Sequence, residues 1–345
     1  GYNCQRQAHT LYPKHLWRNE EKVVLKNDMV PPHQKFDTLR FDPQDAAGYT
    51  DFYQQDYAPD LMHREALEFI RRSKEKPFFL YYASPIPHVP LQVPKAELAA
   101  YEGQFGEEEP YLGQKSYFPH QYPKAAYAAM VSLLDAQVGE LVALLKELGM
   151  NEHTLIMFSS DNGPSYAGGT ASPFFESAGP FKSEYGWAKG FTHEGGIRVP
   201  MIAAWPGKIQ PGSETDHLSA FWDVMPTLLD VAQQAAPQEI DGLSFLPTLL
   251  GQEQAQEHAF LYWEFPAYGG QQAIRQGPWK AIRKSLIKGS PTISLYNLDH
   301  DIQEQNDLAD SLPDKTAELL ALMQGAHQEA LLPKFRMKAL GDSLP

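Results

Sequence analysis

Apolar positions recur at three- and four-residue spacing between Pro123 and Leu148. Tyr127, Met130, Leu134, Val138, Leu141, Leu145 and Leu148 fall on one stripe, and Gly149 follows where a helix C-cap belongs. This pattern predicts the longest helix of the chain. A shorter one is predicted from Asp60, as N-cap, to about Lys74, with Leu61, Leu67 and Ile70 turned inward. Two nearly unbroken apolar runs, Pro77 to Ala83 and Thr154 to Ser159, predict strands buried on both faces, as in a parallel sheet. Arg198 to Trp205 predicts a third strand, and Asp223 to Gln233 a helix whose Pro226 falls in the first turn. The order strand, helix, strand predicts a right-handed βαβ unit.

The pattern changes after about Gln252. Ala259 to Phe265, Gln272 to Arg283 with a Gly277-Pro278 turn at its middle, and Ile293 to Leu298 predict antiparallel strands, closed by a helix from Pro313 to Glu329. The chain is thus expected to be α/β, with a mostly parallel sheet flanked by helices in residues 1–252. A small α+β subdomain is expected in residues 253–345. The first 60 residues read as irregular. Residues 84 to 120 read as a long loop whose acidic run, Glu107 to Glu109, is expected to be solvated.

Composition narrows the function classes. A net charge of −14 over 345 residues argues against a general nucleic-acid binder, yet it permits an anionic substrate held by a few local cations. No apolar run near the roughly 20 residues needed to cross a bilayer is apparent, so no membrane partner is expected. Cys4 is the single cysteine, which excludes an internal disulfide. The chain opens on Gly1 rather than Met, and nothing at its start resembles a signal peptide.

Functional residues of doubly wound α/β domains gather just past the carboxyl ends of strands. One such loop, Ser160-Asp161-Asn162-Gly163-Pro164, sets a carboxylate beside an amide, hard oxygens that suit Ca²⁺ or Mg²⁺. Asp-Asn-Gly is also a common turn. A second loop holds His88 between prolines, where it is either fixed over a pocket or a bystander. A third, Lys189 to Pro200, pairs a lysine with two glycines that could let it present an ammonium to an anion.

Taken together, and in this order, these segments resemble the sulfatase family of the alkaline-phosphatase superfamily. Gly1-Tyr2-Asn3 through Tyr12-Pro13, Leu16-Trp17-Arg18-Asn19, Phe78 to Ser84 followed by His88, and the helix containing Asp135 all match. So do Ser160 to Pro164, Glu194-Gly195-Gly196-Ile197-Arg198-Val199-Pro200, Trp205-Pro206-Gly207, Asp223 to Asp230 and Leu295-Tyr296-Asn297-Leu298. The resemblance implies an alkaline-phosphatase-like fold and Ca²⁺ held by Asp161 and Asn162 with further ligands. It implies that Lys189 and His88 contact the sulfate group, with Lys182 as the runner-up cation and Glu194 to Pro200 as the turn that seats Lys189. Sulfated carbohydrate or an aryl sulfate is the implied substrate, and a periplasmic or secreted location the implied compartment.

The family's nucleophile is a formylglycine made from Cys or Ser in a Cys/Ser-x-Pro-x-Arg segment. No such segment occurs in the chain, and Cys4 has no proline two residues later. The expectation is therefore a C-terminal two-thirds of a sulfatase, inactive alone and weak for Ca²⁺, with the nucleophile upstream. Two other readings stay open: a phosphatase, phosphodiesterase or phosphonate hydrolase of the same superfamily, and a non-catalytic pseudoenzyme or glycan-binding protein. Asn162 favours the sulfatase over the first, because transition-metal sites prefer nitrogen ligands there.

Overall fold

The computed structural model describes all residues except Gln5, Pro32, Lys288, Gly289, Leu344 and Pro345. The chain divides into two compact units, one of residues 1–154 with 165–175, the other of residues 155–164 with 176–345.

The first unit begins with an antiparallel hairpin, β1 (His15–Arg18) and β2 (Glu21–Val24), in register His15 to Val24. Three helices follow: α1 (Ala58–Ser73), the short α2 (Lys95–Ala99) and α3 (Pro123–Glu147). Helix α1 starts two residues before the expected Asp60, because Pro59 is pre-set for a first turn. The core closes around Leu11, Tyr57, Leu91, Val93, Ala126 and Met130. Small alanines on α3 let the neighbouring segments approach it closely.

Helix α3 ends as the glycine predicts. Gly149 takes φ +69°, its N–H donates to the Lys146 carbonyl, and the Met150 N–H donates to the Leu145 carbonyl. These are the two bonds of a Schellman cap. The opposite end corrects the expectation for the acidic run. Glu108 is buried, not solvated, and its carboxylate accepts the backbone N–H groups of Lys124 and Ala125, orphan donors of the first turn. A second correction concerns the membrane: α3 is long and apolar enough to cross one by length and composition alone. Its alanine and methionine positions instead pack into the core of this unit.

Residues 77–83 do not form the expected buried strand. The segment pairs with no strand among the described residues, and Phe79 and Tyr81 are 70% and 71% exposed. An apolar run supplies the side chains of a strand, but a strand also needs a neighbour for its backbone N–H and C=O groups.

In the second unit, β3 (Ile156–Ser159) pairs antiparallel with β4 (Met201–Ala204), in register Ile156 to Ala204. The parallel βαβ unit expected of residues 77–83, helix α3 and β3 is not formed among the described residues, because residues 77–83 make no strand. The segment between β3 and β4 turns back on itself. Gly163 N–H donates to the Gly196 carbonyl at 2.9 Å, which pins the two ends of the intervening segment together and returns β4 alongside β3. Helices α4 (Glu194–Ile197), α5 (Val224–Val231) and α6 (Leu246–Leu249) are short.

The predicted antiparallel strands form a four-stranded meander: β5 (Leu261–Phe265), β6 (Gln271–Gln276), β7 (Trp279–Lys284) and β8 (Thr292–Asn297). The β6–β7 turn has two residues. Gly277 takes φ +55° and Pro278 is confined to negative φ, the combination of a type II′ hairpin. One face of the sheet, with Ile274, Ala281 and Leu295, packs on Leu319 and Met323 of α7 (Pro313–Ala326). The other face carries Ala273, Ile282 and Tyr296, together with the cross-strand neighbours Arg275 and Lys280.

Candidate functional site

The loop after β3 is shaped by glycines. A methyl group on Gly163 would lie 1.9 Å from the Gly195 carbonyl oxygen, and one on Gly195 would lie 1.8 Å from that of Lys182. A methyl on Gly196 would meet the Phe191 and Ala188 carbonyls at 2.1 and 2.6 Å. The Ser160–Pro164 and Glu194–Ile197 segments therefore meet backbone to backbone, an approach only glycine allows. Lys189 is bound into the same junction, since its N–H donates to the Pro164 carbonyl at 3.1 Å.

Within this unit the structure brings together three of the four expected residues: Asp161, Asn162 and Lys189. Burial lowers the Lys189 pKa, and the Asp161 carboxylate acts against that by stabilising the ammonium. Lys182, the alternative cation, is engaged elsewhere. Its Nζ lies 3.1 Å from Glu184 Oε1 and 3.9 Å from the centre of the Trp187 ring.

Residues the sequence did not single out hold the Lys189 loop from the sheet. Gln271 on β6 donates to the Gly190 carbonyl at 2.8 Å and accepts the Thr192 N–H at 3.2 Å. Lys284 Nζ lies 3.4 Å from His193 Nε2. Lys280 is fully buried, with Nζ at 2.7 Å from Glu194 Oε1 and 3.0 Å from Glu304 Oε1. Arg275 and Arg198 approach the other oxygen of Glu194 at 3.4 and 3.3 Å. Glu304 in turn accepts the backbone N–H of Glu194 at 2.6 Å. The Glu194 pKa is lowered: burial alone would raise it, but Lys280 and the two arginines outweigh burial. The sequence signal for Lys280 was a lysine inside the apolar alternation of a strand.

His88, the fourth expected residue, belongs to the first unit. Its Nδ1 is in contact with the Val89 carbonyl, which places the ring proton there. Its ring stacks on His9, with centroids 5.5 Å apart and planes 11° apart, and Tyr117 meets it edge-on at 6.0 Å. His33 lies edge-on to His9 at 5.6 Å. Neither His9 nor His33 stood out in the sequence, because nothing local marks two imidazoles that meet a third across the fold.

Asp161 and Asn162 suit Ca²⁺ in kind, since both offer hard oxygens, but not in number. Calcium takes about 6–8 oxygen ligands. Among the described residues no group of three or more His, Cys, Asp or Glu side chains is arranged to hold a metal. These two residues do not make a calcium site by themselves.

Comparison with known proteins places this geometry in context. The Sulfatase family profile matches residues 5–234, and that of the N-sulphoglucosamine sulphohydrolase C-terminal region matches residues 183–329. N-acetylgalactosamine-6-sulfatase of Canis lupus familiaris is 34% identical over 203 residues, covering 58% of this chain and 34% of that protein. Arylsulfatase A of Homo sapiens is 30% identical over 273 residues, covering 73% of this chain and 48% of that protein. The crystal structure of Ps i-CgsB in complex with k-i-k-neocarrahexaose superposes with a TM-score of 0.61 at 28% identity, covering 79% of this chain and 54% of that one. The chain thus spans between a third and a half of the length of these two curated relatives. Its fold is that of the alkaline-phosphatase-like α/β proteins.

Proposed function

The chain belongs to the sulfatase family, and we propose that it supplies the sulfate-contacting residues of a sulfuric ester hydrolase acting on sulfated carbohydrate. The observation that carries this reading is the locked junction of two loops that keeps the Lys189 ammonium in the field of Asp161. A half-buried ammonium is a strong counter-charge for sulfate oxygens, because little water screens it. As the ester bond breaks, Lys189 balances the negative charge on the sulfate. By the family resemblance, His88 serves the leaving oxygen by hydrogen bonding or protonation. The carbohydrate class is supported by the N-acetylgalactosamine-6-sulfatase relative and by the neocarrahexaose held in the related crystal structure.

No Cys/Ser-x-Pro-x-Arg segment is present in these 345 residues, so no nucleophilic step is assigned to them. The purified chain is expected to bind inorganic sulfate but not to turn over an aryl sulfate, with or without added calcium. Calorimetric titration should show sulfate affinity falling about tenfold or more in Lys189→Ala, the loss of one charge-assisted contact. Measurable hydrolysis by the chain alone, or sulfate binding indifferent to Lys189, would overturn the assignment.

A further inference from the structure

We propose that the inner face of the antiparallel sheet is the positioning element for Lys189, acting through Gln271, Lys280 and Glu304. The connection can be followed atom by atom. Gln271 clasps the backbone on the far side of Lys189, at Gly190 and Thr192. Lys280 and Glu304 fix the carboxylate and the amide of Glu194 at once. Glu194 opens the turn whose Gly195 and Gly196 leave no space against Lys182, Ala188 and Phe191. Gly196 also accepts the Gly163 N–H, so the Asp161 loop is set by the same turn.

A stability role explains this arrangement poorly. Two carboxylates and a lysine, all 2% exposed or less, lie against a sheet face that also buries Gln271, Ala273 and Ile282. Desolvating such groups is costly, and well-packed hydrophobic residues usually serve stability as well or better. What the charges add is geometry. Each oxygen of Glu194 has a defined cation, and the Glu194 amide has a defined acceptor, so the turn has one register on the sheet.

The inference rests on Lys189 being the anion contact proposed above, but its test uses no substrate. The pH profile of Lys189 ε-amine acylation is measured by peptide-resolved mass spectrometry in the full chain, with exposed Lys208 as the internal standard. Two variants are compared with the parent: Gln271→Leu, which removes only the clasp, and Glu304→Gln, which keeps size and one accepting oxygen for the Glu194 N–H but removes the charge facing Lys280. In both, the Lys189 midpoint is expected to move up by about half a pH unit or more, toward the ordinary lysine range, as its loop loosens into water. The Lys208 midpoint should stay in place.

A Lys189 midpoint unmoved in both folded variants would overturn the inference. So would failure of both to fold, which would show that these residues hold up the subdomain as a whole. Absence of sulfate binding by the parent chain is a separate result, and bears on the functional reading alone.

Discussion

At Gly163 the space available to a side chain is negative, because a methyl group would sit 1.9 Å from a carbonyl oxygen that belongs to another backbone segment. Gly163→Ala must therefore move backbone rather than a side chain. A loss of roughly 3 kcal/mol is expected, at the upper end for overpacking, and chemical denaturation of the variant would measure it. This junction explains what could and could not be read from the sequence. Asp161, Asn162, Gly163, Lys189, Gly195 and Gly196 lie in short runs with fixed spacing, so a family resemblance finds them directly. Gln271, Lys280 and Glu304 lie about 80 to 110 positions from the loop residues they hold. Their identities carry no local pattern, and only the folded sheet brings them to the turn. His9 and His33 escaped notice for the same reason.

Among the elements, those defined by local chemistry were legible. The α3 stripe with its glycine stop, the Gly277-Pro278 hairpin and the closing helix are each settled within about one turn of chain. Gly149→Ala places a side chain at φ +69°, and a loss of about 1 kcal/mol is expected. A thermal melt showing no loss would mean that the cap contributes nothing. Strand partnership was not legible, because it is decided between segments far apart. The side chains of the run at 77–83 predict a buried strand, yet it has no ladder among the described residues and shows Phe79 and Tyr81 to solvent. An exposed apolar segment with no strand partner among the described residues invites pairing with another chain. Phe79→Lys is therefore expected to reduce concentration-dependent association in sedimentation velocity. It should change stability by no more than about 0.5 kcal/mol, as surface substitutions usually do.

For the whole molecule the clearest expectation is sensitivity to acid. His120 is buried between Tyr53 and the Tyr122 N–H, and burial holds its pKa down at about 4. His193 is shifted in the same direction by burial and by Lys284, Lys280 and Lys182. A histidine with a depressed folded pKa contributes its full stability above the unfolded value near 6.5 and loses it as pH falls toward the folded value. For His120 the total is about 3 kcal/mol between roughly pH 6.5 and 4. Urea titrations at pH 7.5 and pH 5 should show this decline, and His120→Gln should flatten it. Calcium is expected to behave differently. With only Asp161 and Asn162 proposed as ligands, chelation by EDTA should leave the melting temperature of the chain unchanged, and a clear drop would reveal ligands beyond those two.

The bond from the Glu194 amide to Glu304 spans 110 positions of sequence, and that separation has a meaning in time. A ribosome adding about 5–20 residues per second needs roughly 5–20 s to travel from one to the other. Throughout that interval the glycine junction has been synthesised but lacks its seat. The nascent chain thus carries an unseated Lys189 loop until the sheet has emerged. A transcript cut short after Pro200 and before Glu304 would yield a protein with His88, Asp161, Asn162 and Lys189 but no fixed place for its lysine.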